Sequence, residues 1–245
     1  MSRGGLLLVG HGSHLSPNSS APIHAHARSL RELGQFEEVR VGFWKEEPSL
    51  ARALEGFRST DVTVVPVFIS GGYFTNEVIP REMRITGPVS SIDGRTVRYT
   101  PPVGCHPSLA RVIVQRALEV GATSNDALAV LGHGTPRNPA SEKNVFEQAD
   151  HVRAMDSFKE VTTVFLDQQP HMSDVFDLVK SESVVLVPLF IADGWHVGET
   201  IPEDLSIEGG EVRMDGRRLR YAGAVGTHSA VADVIVELAE EAAGW

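Results

Sequence analysis

The side chains in this sequence best suited to chemistry are histidines that follow short apolar runs. His11 lies in Leu-Val-Gly-His-Gly-Ser (8–13) and His133 in Val-Leu-Gly-His-Gly-Thr (130–135), an offset of 122 residues. A third, His196, follows Gly194-Trp195, and the position 122 residues before it holds Phe74. Imidazole is the commonest protein ligand for borderline divalent metals, and it takes up a proton near neutral pH. A pair such as His133 and His196 makes an open site that can release its metal, whereas a structural zinc site normally takes four protein ligands. His133, His196 and His11 are therefore the candidate metal ligands and catalytic imidazoles.

Two carboxylates, Glu46 and Glu47, precede Pro48 and are candidate proton acceptors. Charge at a helix start explains them equally well. Their counterparts Gln168 and Gln169 are uncharged, so this function is not shared by the two halves. Glu77 and Glu199 recur in Asn-Glu-Val-Ile-Pro and Gly-Glu-Thr-Ile-Pro, where they lie at the crevice mouth or, the reading slightly favoured, cap a helix. His106 and His228 also recur, each just before a helix, and read as capping or packing residues. His14, His24, His26, His151 and His171 fit no pattern, and surface positions account for them.

The same offset of 122 pairs Pro48 with Pro170, Pro66 with Pro188 and Pro80 with Pro202. It also pairs Asp93-Gly94-Arg95 with Asp215-Gly216-Arg217, and Val103-Gly104-Cys105-His106 with Val225-Gly226-Thr227-His228. The chain is an internal duplication, with lobes 1–122 and 123–245 joined by the linker Val120–Asp126. In the first lobe, residues 5–9 read as a buried strand, and a helix capped by Asn18-Ser19-Ser20 runs to Leu33 with Gly34 as its stop. A second strand spans 38–43, Pro48 opens a helix to Phe57, and the β-branched run 61–70 is a central strand. Pro66 inside that run implies a bulge or kink. A helix follows Pro80, 96–100 is the fourth strand, and Pro107 opens a helix ending near Gly121. The second lobe repeats the plan, with strands at 127–131, 161–165, 184–191 and 219–222 and helices at 140–158 and 229–243. Alternating strands and helices imply an α/β fold: two tandem pseudo-symmetric lobes, each a mostly parallel sheet flanked by helices. Ligands in such sheets bind beyond the carboxyl ends of the strands, where His133 and His196 both fall. An active-site crevice between the lobes is expected.

The 245 residues include 22 basic and 32 acidic side chains, for a net charge of −10, which argues against nucleic-acid binding. Any anionic ligand then needs local donors. The single cysteine, Cys105, excludes an intrachain disulfide framework. Leading apolar residues are too few for a signal or membrane segment, so the protein reads as cytoplasmic, with no membrane partner. Neither a phosphate loop nor a dinucleotide fingerprint nor a hydrolase elbow is present, which favours a nucleotide-independent reaction.

Val-Gly-His-Gly-Ser, Glu-Pro-Ser-Leu and Val-Val-Pro-Val-Phe-Ile-Ser in the first half resemble the class II chelatases of the tetrapyrrole pathways, the CbiX and sirohydrochlorin chelatase family. The second half adds Val-Pro-Leu-Phe-Ile-Ala-Asp-Gly-Trp-His-Val-Gly-Glu-Thr-Ile-Pro. The resemblance implies ATP-independent insertion of Co²⁺, or of Fe²⁺ or Ni²⁺, into sirohydrochlorin or a related precursor, for cobalamin or siroheme synthesis. It also implies no permanently bound cofactor, the divalent metal being a substrate. The family's histidine pair carries over to His133 and His196. In the first lobe only His11 carries over, because Phe74 fills the partner position. A glutamate frequent in the family four residues before the proline is replaced by Trp44 and Leu166, for which Glu46, Glu47 or Asp167 could compensate.

The expected mechanism has neutral His133 and His196 hold the metal over the macrocycle face. A free imidazole or Glu46/Glu47 accepts the pyrrole protons, and Arg137 or Arg81 meets peripheral carboxylates. The protein acts as a monomer or homo-oligomer. The rival reading keeps the ligand without the enzyme: a tetrapyrrole or metal carrier, to which Phe74 and Trp44 lend apolar ring-stacking surface. A periplasmic-type two-lobe binding protein fits neither the histidine pattern nor the missing export signal.

Overall fold

The computed structural model describes residues 3–14, 19–134, 139–214 and 216–245. Each half of the chain builds a five-stranded sheet. In the first half these are β1 (Arg3–Gly10), β2 (Phe36–Phe43), β3 (Asp61–Pro66), β4 (Val89–Ile92) and β5 (Arg95–Tyr99), in the order β2-β1-β3-β5-β4. The second half has β6 (Ala127–Gly132), β7 (Glu160–Phe165), β8 (Ser183–Pro188), β9 (Glu211–Met214) and β10 (Arg217–Tyr221), in the order β7-β6-β8-β10-β9. All pairings are parallel except the edge pairs β4–β5 and β9–β10. The expected mostly parallel α/β sheet is thus present twice. Helices are α1 (Ala21–Leu33), α2 (Ile79–Met83), α3 (Leu109–Glu119), α4 (Pro139–Ala154), α5 (Ile201–Asp204) and α6 (Val231–Ala243). Among the described residues no helix is long and apolar enough to cross a membrane.

The central strands are apolar throughout because helices cover both faces. Leu6, Leu7, Leu8, Val62, Val64 and Val65 are fully buried, as are Leu128, Val130, Leu131 and Val184–Val187. Gly34 stops α1 in the left-handed conformation, as its sequence position predicts, and its N–H bonds the Arg31 carbonyl. Of the expected caps, Asn18 lies outside the described residues. The Ser20 hydroxyl turns to the Glu46 carboxylate instead of the helix backbone.

Three local expectations are corrected. The segment after Pro48 is not a helix to Phe57: only a 3₁₀ turn forms, Leu50–Arg52, and Met172–Asp177 repeats it. The reason is a sheet-like bond from Phe43 N–H to the Pro48 carbonyl, 2.8 Å, repeated between Phe165 and Pro170 at 2.9 Å. This bond draws the chain out along β2 and β7 before any helix can start. Secondly, Pro66 and Pro188 end their strands rather than kinking them, since a residue without an N–H cannot extend the ladder. Thirdly, β4 and β9 were not foreseen. Asp93 and Gly94 both have positive φ, 49° and 78°, the geometry of a tight two-residue hairpin turn that an Asp-Gly pair signals. Asp215 of the equivalent pair lies outside the described residues.

The duplication boundary near residue 123 is not where the contacts divide the chain. One compact unit is Met1–His106 with Ser229–Trp245, and the other is Pro107–His228. Helix α6 therefore packs on β3 and β5 of the first unit, and α3 on β8 of the second. Each exchange follows a recurring histidine. His106 Nε2 lies 3.2 Å from Glu241 of α6, and His228 Nε2 lies 3.3 Å from Glu119 of α3. These two histidines fasten helices, as the packing reading anticipates.

Candidate metal-handling site

Because β6 and β8 are parallel neighbours, paired up to Leu131 and Pro188, the loops that follow them leave the same edge of the sheet. His133 stands just past β6. The longer loop after β8 ends in a single π-helical turn, His196–Thr200, which runs straight into α5. Such turns concentrate at functional sites. The two imidazoles meet edge to face, with ring centroids 5.1 Å apart and planes at 85°. Phe190, from the loop after β8, lies against the His133 ring at 6.1 Å.

The orientation of His133 is set by its neighbours. Its Nδ1 lies 3.0 Å from the Gly134 carbonyl and 3.2 Å from an Asp167 carboxylate oxygen. Both are acceptors, so the proton of the neutral ring sits on Nδ1 and the Nε2 lone pair is left to bind a ligand. Gly134 makes this fold-back possible: its φ is +73°, and a Cβ there would lie 2.6 Å from Gln168 Cγ. The π-turn is held from behind by the Tyr221 hydroxyl, which donates to the Val197 carbonyl at 2.9 Å. Burial raises the Tyr221 pKa well above its ordinary value, so the hydroxyl keeps its proton and stays a donor.

In the first unit the same frame carries different chemistry. Tyr99 donates to the Thr75 carbonyl at 2.7 Å behind the π-turn Phe74–Val78. His11 Nδ1 bonds the Gly12 carbonyl at 2.8 Å. In place of a second imidazole, His11 meets the Phe74 ring at 4.8 Å and the Trp44 ring at 5.2 Å. Trp44 and Phe74 also touch each other, at 4.9 Å, and Lys45 Nζ lies 4.0 Å from the Trp44 ring centroid.

The structure thus brings His133 and His196 together and sets His11 among aromatic rings. Glu46 is occupied under the His11 loop: it accepts from Ser13 N–H at 3.2 Å and Ser20 Oγ at 2.8 Å, with His24 Nε2 3.7 Å away. Glu47 accepts from Ser49 N–H at 2.9 Å and shapes the turn at Pro48. Asp167 is the carboxylate beside the histidine pair. Glu77 and Glu199 are exposed within the two π-turns. Arg81 is exposed and engaged by Glu82 at 2.9 Å and by the Tyr73 hydroxyl, and Arg137 lies outside the described residues. Contrary to the surface expectation, His26 is buried on α1, while His171 caps its 3₁₀ turn by accepting from Ser173 N–H. Tyr221 and Tyr99 carry no motif in the sequence beyond their identity at the shared offset, which is the signal that would have found them.

Among the described residues, no group of three or more His, Cys, Asp or Glu side chains is arranged to hold a metal. A two-imidazole site with one carboxylate behind it is suited to transient metal handling rather than to permanent storage.

The CbiX family model matches residues 5–120 and again 127–242, the two halves of the duplication. The chain belongs to the CbiX family. It is 43% identical to a probable sirohydrochlorin cobaltochelatase of Halobacterium salinarum, over 97% of this chain and 91% of the relative. A sirohydrochlorin cobaltochelatase of Methanosarcina barkeri is 34% identical over 47% of this chain but 95% of its own length, so that relative is the size of one repeat. Among solved structures, a multi-domain Deinococcus radiodurans protein with structural similarity to chelatases superposes with a TM-score of 0.83 at 32% identity. The match covers 98% of this chain and 55% of that longer protein, which has two additional domains.

Proposed function

We propose that this CbiX-family chain is a sirohydrochlorin cobaltochelatase, inserting Co²⁺ into the macrocycle without ATP. The observation that carries the proposal is the facing His133–His196 pair, in a chain with full-length likeness to the Halobacterium salinarum relative. Its place is the cytoplasm, on the cobalamin branch of tetrapyrrole synthesis.

His133 Nε2 and the His196 ring hold the partly hydrated cation. Asp167 and the Gly134 carbonyl keep the His133 proton on Nδ1, which fixes the ring and makes Nε2 a better donor. Insertion forms metal–nitrogen bonds as two pyrrole N–H bonds break, so two protons must leave the macrocycle. As the cation leaves His133 and His196 for the macrocycle nitrogens, the lone pair freed on each imidazole can take one of these two protons and pass it to water. Glu46 and Glu47 hold the backbone of their own loop in the first unit.

The test is to mix the protein anaerobically with sirohydrochlorin and Co²⁺, Fe²⁺ or Ni²⁺ and follow the visible spectrum. Metallation faster than in protein-free solution, fastest with Co²⁺, is expected. A shifted macrocycle spectrum with no gain in rate would instead make the protein a tetrapyrrole carrier.

A further inference from the structure

Trp195 is 68% exposed, an unusual state for the largest apolar side chain. It immediately precedes His196 and forms the N-terminal flank of the π-turn, in helical conformation. The space around this segment is open: a Cβ built on Gly194 or Gly198 would meet nothing within 4 Å. At the equivalent position of the first unit, Tyr73 is 60% exposed, also directly before its π-turn. Among the described exposed large apolar residues, Leu33 and Met155 also recur at this offset, but they lie at the ends of α1 and just past α4, away from the site. The Tyr73 hydroxyl has a polar use, bonding Arg81. At Arg81's counterpart stands Glu203, and an indole has no hydroxyl to bond, so the exposure of Trp195 has no such local explanation.

We infer that Trp195 is a substrate-stacking residue, presenting its indole to the flat face of the tetrapyrrole beside the metal held at His196. This rests on the chelatase reading and adds a contact with the macrocycle itself. A metal passed from imidazole to four pyrrole nitrogens must approach the ring from one face. That face therefore meets whatever side chain flanks the imidazole on its open side. An indole there gains offset-stacking and desolvation with an extended conjugated ring, and nothing comparable with the hydrated cation. The apolar surface left exposed in the free protein is then covered in the complex.

The test uses the full chain, metal-free sirohydrochlorin and Co²⁺ separately, with Trp195→Ala and Trp195→Phe. Macrocycle affinity and KM are expected to weaken roughly threefold to tenfold in Trp195→Ala and to recover largely in Trp195→Phe. Co²⁺ affinity measured without macrocycle, and kcat at saturating macrocycle, stay near wild type. Unchanged macrocycle affinity and KM in Trp195→Ala, with a wild type that binds and metallates normally, would overturn the stacking role alone. A wild type that fails to bind the macrocycle would remove the chelatase reading and this inference together.

Discussion

The rings of His133 and His196 stand 5.1 Å apart and nearly perpendicular, while their counterparts His11 and Phe74 stand 4.8 Å apart at 66°. Both halves share the frame, down to the tyrosine behind each π-turn, and differ where the first half holds Phe74 in place of a second imidazole. The facing imidazole pair belongs to the second unit.

Placing an imidazole at that position should create a metal site. Phe74→His places a second ring against His11, and Co²⁺ binding measured by calorimetry should rise by one equivalent over wild type. The added equivalent should vanish when His11→Ala is introduced into the same variant. No added binding would mean that Trp44 denies the site the room or hydration a cation needs.

Asp167 is expected to act through His133 rather than by holding metal alone. Asp167→Asn leaves the Gly134 carbonyl as acceptor but removes the charge behind the ring. Co²⁺ affinity and turnover should fall by about tenfold, at the modest end of the 10–100-fold range for such partners. Glu47→Gln, which alters a carboxylate that shapes a turn, should change turnover little.

Stability carries its own pH signature in the second unit. Asp126 pairs with Arg220 at 2.7 Å, both side chains buried. Burial pushes the Asp126 carboxyl up, but bonds from Ser183, Thr123 and Arg220 outweigh it and hold the pKa down to about 2. The folded carboxylate thus gives up its proton more readily than the unfolded one. Its stabilisation is full above the ordinary carboxylate range and is lost as pH falls through about 2. Asp126→Asn leaves Arg220 without its counter-ion and should cost about 3 kcal/mol near neutral pH. The gap from wild type should narrow towards pH 2 in denaturant titrations, and a constant gap would assign the loss to packing.

Gly226 and Gly104 pass so close to the loops after β8 and β3 that a Cβ would lie 2.3 Å from Ile191 and 1.8 Å from Ile69 backbone atoms. The N–H of Gly226 bonds the Phe190 carbonyl at 2.8 Å, so this contact holds the loop that carries His196. Gly226→Ala should lower the melting temperature by several degrees and reduce turnover, whereas Gly87→Ala, in open space, should do neither.

Much of this was legible in the sequence because the repeat offers every element twice. Strand runs, the glycine stop of α1 and the His133–His196 pair follow from periodicity and from position after parallel strands. The exchange of α3 and α6 was not legible, since either helix presents an apolar face that suits either sheet. Nor was the loss of the helix after Pro48, where the carbonyl bonded to Phe43 wins over a favourable proline position. Glu46 and Asp167 could not be ranked from spacing. Only the fold shows Glu46 tied to Ser13 and Ser20, and Asp167 at the imidazole.

The decisive experiment on the role of the histidine pair is the initial rate of Co²⁺ insertion into sirohydrochlorin under anaerobic conditions. Wild type should be compared with His133→Ala, His196→Ala and the α4 control His151→Ala. If His133 and His196 hold the metal together, either variant should lose more than about 100-fold, beyond the effect of a supporting partner, while His151→Ala keeps the wild-type rate. Wild-type insertion by either His133→Ala or His196→Ala would contradict that role.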